Sequence, residues 1–258
     1  MNNQQGWINL YKPKKISSFN ALKKIKFKFN FQKIGHAGTL DPMAEGILPI
    51  AIGKATKLIP FVNNKSKKYI FTVKWGNQTS TDDIEGEVIK SSKKIPSAEE
   101  IQNKLKEFIG YIKQTPPLAS SVKVDGERAY KLFRDKIHFE LKPKTVLLKN
   151  IKLLKFEKKI SEFEIECGKG FYVRSFARDF AISLGTYGHI NTLKRTKVGV
   201  FSTKSAILLD DLLKIGQRLS GFNCIHSSVS MLDDILAYEV ESKEDLLNLS
   251  LGRSIYIN

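Results

Sequence analysis

The 258-residue chain is poor in cysteine: Cys167 and Cys224 share neither a metal-ligand spacing nor a disulfide framework, so a reduced, cytoplasmic setting is expected. Long apolar runs are missing too. The longest, residues 47–52, is six residues long and includes a proline, whereas a membrane helix needs ~20. Met1-Asn2-Asn3-Gln4-Gln5 has neither a basic region nor an apolar stretch, so no secretory signal is expected. No G-x-G-x-x-G occurs. Gly53-Lys54-Ala55 lacks the Ser/Thr of a P-loop and has Leu48 where the earlier glycine belongs. The histidines, at 36, 138, 189 and 226, are scattered with no H-E-x-x-H, and there is no G-x-S-x-G elbow. Neither a bound nucleotide cofactor nor a catalytic metal is therefore expected. Acidic residues are scarce as well, at 26 against 43 Lys+Arg, for a formal net charge of +17.

A hydrophobic fraction of 41% and a charged fraction of 27% are ordinary for a folded domain. The length suits one large domain, or one domain with a small appendage. A chain this basic usually meets a polyanion, most often nucleic acid, although lysines also serve simply to keep a surface soluble. The charge is uneven. Residues 220–258 hold two basic and six acidic side chains, a balance of −4, which leaves +21 on residues 1–219. A boundary is predicted near Ser220-Gly221, between a basic polyanion-binding domain (1–219) and a short acidic C-terminal segment (220–258).

Helical and strand periodicities both occur. Ser18 is the expected cap of a helix with Phe19, Leu22, Ile25 and Phe29 along one side. Ser97 and Glu100 form a capping-box pattern ahead of Ile101, Leu105, Phe108 and Ile109. Val173, Phe176, Ala177, Phe180, Ala181 and Leu184 recur at helical spacing, with Gly185 as the expected stop. Tyr69, Phe71, Val73 and Trp75 share one face of a period-two run, and Phe163, Ile165 and Cys167 alternate with glutamates. Residues 145–156 are strand-like too. The strands cluster as hairpin-like runs, which predicts an α+β fold with a mixed, mostly antiparallel sheet flanked by helices and loops.

One segment carries chemistry. In Gly35-His36-Ala37-Gly38-Thr39-Leu40-Asp41-Pro42, two glycines permit a tight backbone and the proline disfavours helix at Asp41. Residues 1–60 hold ten lysines and only two acids, Asp41 and Glu45, surroundings that favour a charged carboxylate. On spacing alone two readings stand: a reactive Asp41, or an Asp41 that caps the next turn beside an ordinary loop histidine.

The run from Gly35 through Asp41-Pro42-Met43-Ala44-Glu45-Gly46-Ile47-Leu48-Pro49-Ile50 resembles the catalytic signature of the TruB-type pseudouridine synthases, which isomerise uridine 55 in the T loop of tRNA. Further blocks match in order: residues 7–13, 53–57, Lys68-Tyr69, the acidic loop 76–86, Gln114-Thr115-Pro116-Pro117 with residues 120–123, Gly168-Lys169-Gly170-Phe171-Tyr172-Val173-Arg174-Ser175, and a later loop, His189 to Arg195. The resemblance thus runs from about residue 6 to 215. Ala37 and Glu45 depart from the usual threonine and small polar residue. A complete C-terminal RNA-binding domain, carried by many members, is not expected in the acidic segment, whose Leu232, Ile235 and Leu236 are candidates for packing on the core.

What the resemblance implies is specific. The fold is the pseudouridine synthase fold. Asp41 is the catalytic carboxylate, Arg174 its guanidinium partner and Tyr69 the aromatic face against a flipped-out uracil. His36 fills the gap left in the T loop, while Tyr172 and Leu193 line the pocket. For Arg174, the competing reading is a surface pair with Asp179. Lys12, Lys14, Lys15, Lys23, Lys24 and Lys33 are candidate phosphate contacts. The reaction conserves atoms, so no metal or other cofactor is implied. The partner is tRNA, no membrane is involved, and a monomer is expected. A non-catalytic tRNA-binding or folding chaperone on the same scaffold is the alternative, and a guide-directed synthase acting on other RNA is a third reading.

Overall fold

The computed structural model describes residues 4–216, 224–228, 240 and 242–255. Its first half runs β1 (Gly6–Lys12), α1 (Ser18–Phe29), β2 (Ile34–His36), β3 (Glu45–Ile52), α2 (Ile59–Asn64), β4 (Lys67–Trp75), β5 (Asn77–Thr79), β6 (Val88–Ser91), α3 (Ala98–Leu105) and β7 (Gly110–Gln114). Then follow β8 (Lys123–Val124), β9 (Glu127–Arg128), α4 (Ala129–Arg134), β10 (Lys144–Glu157), β11 (Ile160–Cys167), α5 (Val173–Ser183), β12 (Gly188–Val198), β13 (Phe201–Ser202), β14 (Ile207–Leu208), α6 (Leu209–Lys214), β15 (Ile225–His226) and α7 (Lys243–Ser250).

An 11-stranded sheet has the spine β14-β1-β3-β12-β4-β11-β10-β7, with β13 on β12, β15 on β1 and β2 on β3. Only β1/β14 and β3/β12 pair in parallel among the described strands. The fold is therefore α+β, with the mixed, mostly antiparallel sheet that the hairpin-like runs predict. Tyr69, Phe71, Val73 and Trp75 do share the buried face of β4, and β11 buries Phe163, Ile165 and Cys167 in alternation with its glutamates.

Helix α5 packs on this face through an aromatic cluster. The Phe176 and Phe180 rings lie 5.3 Å apart, Phe108 stands edge-on to Phe180 at 5.3 Å, and Phe71 stacks on Phe163 at 5.5 Å. Burial of each such ring contributes roughly 1.5–3 kcal/mol. A second core on the opposite face gathers Trp7, Ile47, Val62, Val198 and Phe201. The capping box of Ser97 and Glu100 forms as expected, and Gly185 follows α5 with φ +71°.

Helix α1 differs from its expectation in register. Ser17, not Ser18, is the cap, its side chain accepting from the Asn20 N–H. The buried stripe is Ser18, Ala21, Ile25 and Phe29, which turns Phe19 outward at 67% exposure. Residues 189–195, expected as a loop, lie within strand β12. The expected domain division at residue 220 falls outside the described residues, as do Leu232, Ile235 and Leu236. Beyond it, Ile225 and His226 pair with Ile8 and Trp7 and so extend the sheet. Among the described residues no helix is long and apolar enough to cross a membrane.

Candidate active site

Strand register assembles the site. Arg195 of β12 is directly opposite Tyr69 of β4, and Leu193 opposite Phe71, so Tyr69, Leu193 and Arg195 project to one side of the sheet. On its other edge β12 runs parallel to β3, with Arg195 beside Gly46. The approach is so close that a Cβ on Gly46 (φ +112°) would fall 2.2 Å from the Arg195 carbonyl oxygen. Only glycine fits there.

Asp41 sits in the irregular loop between β2 and β3, and the loop is held from four sides. The Ser18 hydroxyl donates to the Leu40 carbonyl at 2.9 Å and accepts from the Leu40 N–H at 2.8 Å. Lys15 N–H donates to the Pro42 carbonyl at 2.8 Å. Arg195, 1% exposed, donates from Nη2 to Gly38 O (2.9 Å) and from Nε to Ile47 O (2.7 Å). Lys12 holds the loop's far end.

Arg174 enters from the first turn of α5. Its Nε is 2.9 Å from Asp41 Oδ2 and its Nη2 3.1 Å from Asp41 Oδ1, a bidentate pair. Nη2 also donates to Ala119 O at 3.0 Å and Nη1 to Thr81 O at 2.9 Å, with Asp83 Oδ2 3.4 Å from Nη1. Arg174 is thus held by two carbonyls and a second carboxylate besides Asp41. Fixing one carboxylate by a buried cation that is itself anchored on several sides leaves Asp41 little freedom to rotate. One turn on, Arg178 pairs with Asp82 and Asp179, each at 2.8 Å, so Asp179 is the partner of Arg178 and not of Arg174.

Asp41 opens into a cavity of about 900 Å³ whose lining includes His36, Tyr69, Tyr172, Leu193, Arg195 and Lys67. The Asp41 side chain keeps 31% exposure while Arg174 keeps 5%. Burial pushes the Tyr69 phenol up, against the pull of the nearby Arg195 charge, and so favours the neutral hydroxyl. Burial raises Tyr172 likewise. His36 is pushed down, first by burial and then by Arg195, so that a neutral imidazole faces the cavity. Lys67 is pushed down to about 8 by burial and Arg195, and its Nζ donates to Asn63 O and Lys65 O, each at 2.8 Å.

The cavity thus brings together Asp41, Arg174, Tyr69, His36, Tyr172 and Leu193. It does not include Lys12. That side chain is fully buried, its Nζ donating to Pro13 O (2.9 Å), Ile16 O (2.8 Å) and Ala44 O (2.6 Å), and burial lowers it to about 8. The expectation of a phosphate contact at Lys12 is corrected: a side chain sealed from solvent cannot meet RNA, and its donors are spent on three carbonyls. Lys12→Met should therefore lower stability by roughly 1–3 kcal/mol, the cost of leaving the buried Ala44 carbonyl without its donor, since the Pro13 and Ile16 carbonyls are only partly buried. Thermal denaturation checks this, and the salt dependence of tRNA affinity should stay unchanged. A shallower salt dependence would return Lys12 to the phosphate contacts.

Residue-level reading missed Arg195, Asp83, Lys67 and Ser18 as site residues. Arg195 and Asp83 lie in blocks that carried the family resemblance, which is the signal that was available for them.

Residues 26–173 match the family model described as TruB family pseudouridylate synthase, N-terminal domain. The chain is 50% identical over 209 residues to the tRNA pseudouridine synthase B of Ehrlichia ruminantium (strain Gardel), covering 80% of this chain and 71% of that one. It is 44% identical over 253 residues to the protein of the same name from Caulobacter sp. (strain K31), covering 98% and 81%. Among solved structures it is similar to a Cbf5-Nop10-Gar1 complex, with a TM-score of 0.65 and 28% identity over 88% of this chain. It spans 58% of that structure's matched chain.

Proposed function

Because the chain belongs to the TruB family of pseudouridylate synthases, enzymes that pseudouridylate tRNA, we propose that its target is uridine 55 in the T loop, taken out of its stack and isomerised with Asp41 as the catalytic carboxylate. The observation that carries this reading is the bidentate Asp41–Arg174 pair at the wall of a cavity large enough for a nucleotide.

The reaction breaks the N1–C1′ bond, turns the uracil and joins C5 to C1′. The proton on C5 leaves and N1 gains one, so the product is an isomer and the balance closes within substrate and solvent. Asp41 serves as nucleophile toward sugar or base, or as the counter-charge to a developing cation at C1′. Each role demands a carboxylate held in one orientation, and the Arg174 fork supplies that. A base stacked within the folded loop is out of reach of the cavity, so the nucleotide must flip. Tyr69 and Leu193 then offer a neutral aromatic and an aliphatic wall to the uracil, and Tyr172 closes the side. His36, as a neutral ring, fills the space vacated in the loop. We place this activity on residues 1–219 of a cytoplasmic monomer that needs no metal or other cofactor.

The test is incubation of the purified full chain with unmodified tRNA transcript, followed by mapping of pseudouridine. A single modified site at position 55 is expected. Pseudouridine elsewhere overturns the position, and binding with no pseudouridine favours the chaperone alternative.

A further inference from the structure

Helix α1 carries a second feature that the uridine chemistry does not use. Its solvent face bears Phe27, 90% exposed, and Phe19, 67% exposed, which is unusual for large aromatic side chains on an amphipathic helix. Around Phe27 runs a groove of about 830 Å³, edged by Lys15, Lys23, Lys24 and Lys26, with Ile16 and the buried Phe31 at its base. Residues 14–33 contain seven lysines and no acidic residue.

The groove and the active-site cavity are separate but lie along the same helix. Ser17, Ser18 and Phe19, at the start of α1, line the Asp41 cavity. Lys23, Lys26 and Asn30 follow Phe19 at i+4, i+7 and i+11, along one stripe. From Phe19 to Phe27 the helix rises about 12 Å. That length matches about three to four steps of a nucleic-acid strand at ~3.4 Å each.

We infer that this face of α1 is a second RNA-binding surface, which takes the phosphate backbone of the substrate tRNA beyond the flipped nucleotide on Lys23, Lys24 and Lys26 and stacks an exposed base on Phe27. Lysines neutralise phosphates and release counterions, while an exposed aromatic face accepts any base. The inference rests on tRNA being the substrate.

The experiment uses the full chain and measures tRNA affinity at a series of salt concentrations. The variants are the triple Lys23→Gln/Lys24→Gln/Lys26→Gln, Phe27→Ala, Phe27→Trp, and a charge-matched control, Lys152→Gln/Lys158→Gln/Lys159→Gln, at exposed lysines on the β10–β11 hairpin. The α1 triple should weaken binding at least tenfold and reduce the slope of log affinity against log salt by about 2, at roughly 0.7–0.9 per phosphate contact. Phe27→Ala should weaken binding about fivefold or more, and Phe27→Trp should keep wild-type affinity. The control triple should leave the slope unchanged.

Equal loss in the control triple would make the effect one of general charge and overturn the surface. So would wild-type affinity in both the α1 triple and Phe27→Ala, or a change in self-association with tRNA affinity intact, which would assign the groove to a second copy of the chain. A wild-type chain that neither binds nor converts tRNA defeats the uridine reading and this one together. A wild type that converts tRNA beside unaffected α1 variants defeats this one alone.

Discussion

Asp41→Asn should reduce isomerisation by on the order of 10⁴-fold or more, the scale seen when a nucleophile or its equivalent is removed from a catalytic unit. Asparagine nearly matches aspartate in shape, but it is a poor nucleophile and carries no charge to set against a developing cation. One of its two terminal atoms is a donor, so it retains only one of the two bonds that Arg174 makes to Asp41 at 2.9 and 3.1 Å. The cost in stability should stay near 1 kcal/mol, because the Asp41 side chain is 31% exposed and water can serve the orphaned N–H. Affinity for tRNA should change by less than about tenfold, since phosphate contacts supply most of it. Single-turnover rates and binding isotherms on the same preparation check both halves. Turnover near the wild-type rate would remove Asp41 from the role.

Arg174→Lys should be less damaging to rate than Asp41→Asn, and more damaging to the fold. Lysine keeps the positive charge and loses the planar fork. Three ammonium donors would have to serve Asp41, Asp83, Thr81 O and Ala119 O, which the guanidinium serves with five. Asp83 is 2% exposed and has no recourse to water. The variant should lose about 1–3 kcal/mol of stability from bonds left unmade. Its single-turnover rate should fall by about 10²–10³-fold as the Asp41 carboxylate gains rotational freedom. Affinity for tRNA should fall far less, because Arg174 is 4% exposed and turned away from solvent. If rate and affinity fall together, Arg174 is chiefly an RNA contact and its positioning role fails.

The two predictions differ in how far the sequence led to them. Asp41 was visible as the rare acid in a lysine-rich, glycine-bearing loop, but on spacing alone a cap read as well as a nucleophile. The ordered set of matching blocks favours the nucleophile. Arg174 was visible as the helix residue off the apolar stripe, a position that ordinarily means a surface arginine. Here that side of α5 faces the loops around Thr81 and Ala119 rather than water, and no periodicity reports what an opposite loop will cover.

Much of the architecture was legible because it is local. Alternation along β4 and β11 sets which side of each strand is apolar, the Ser97–Glu100 box needs only residues three apart, and the helical spacing of Phe176 and Phe180 marks the face of α5 that meets the sheet. Local pattern fails where neighbours compete for the same residue. Ser17 and Ser18 are both good caps. Ser18 is taken by the backbone of Leu40, 22 residues away, and Ser17 is left to close the helix. Lys12 reads as one more surface cation in a basic stretch, yet three carbonyls converge on it and bury it. Apart from its place in a block that matches the family, Arg195 shows nothing unusual along the chain. Its place between Tyr69 and Gly46 comes from strand register across 126 and 149 positions of sequence, and long-range pairing of that kind is a property of the assembled sheet. The chemistry-bearing residue types, the helix and strand periods and the basic surface were inherent in the order of the amino acids. Which charges are buried, which carboxylate meets which guanidinium, and which lysines stay in water followed from the packing of distant segments, since burial and pairing are set by neighbours in space.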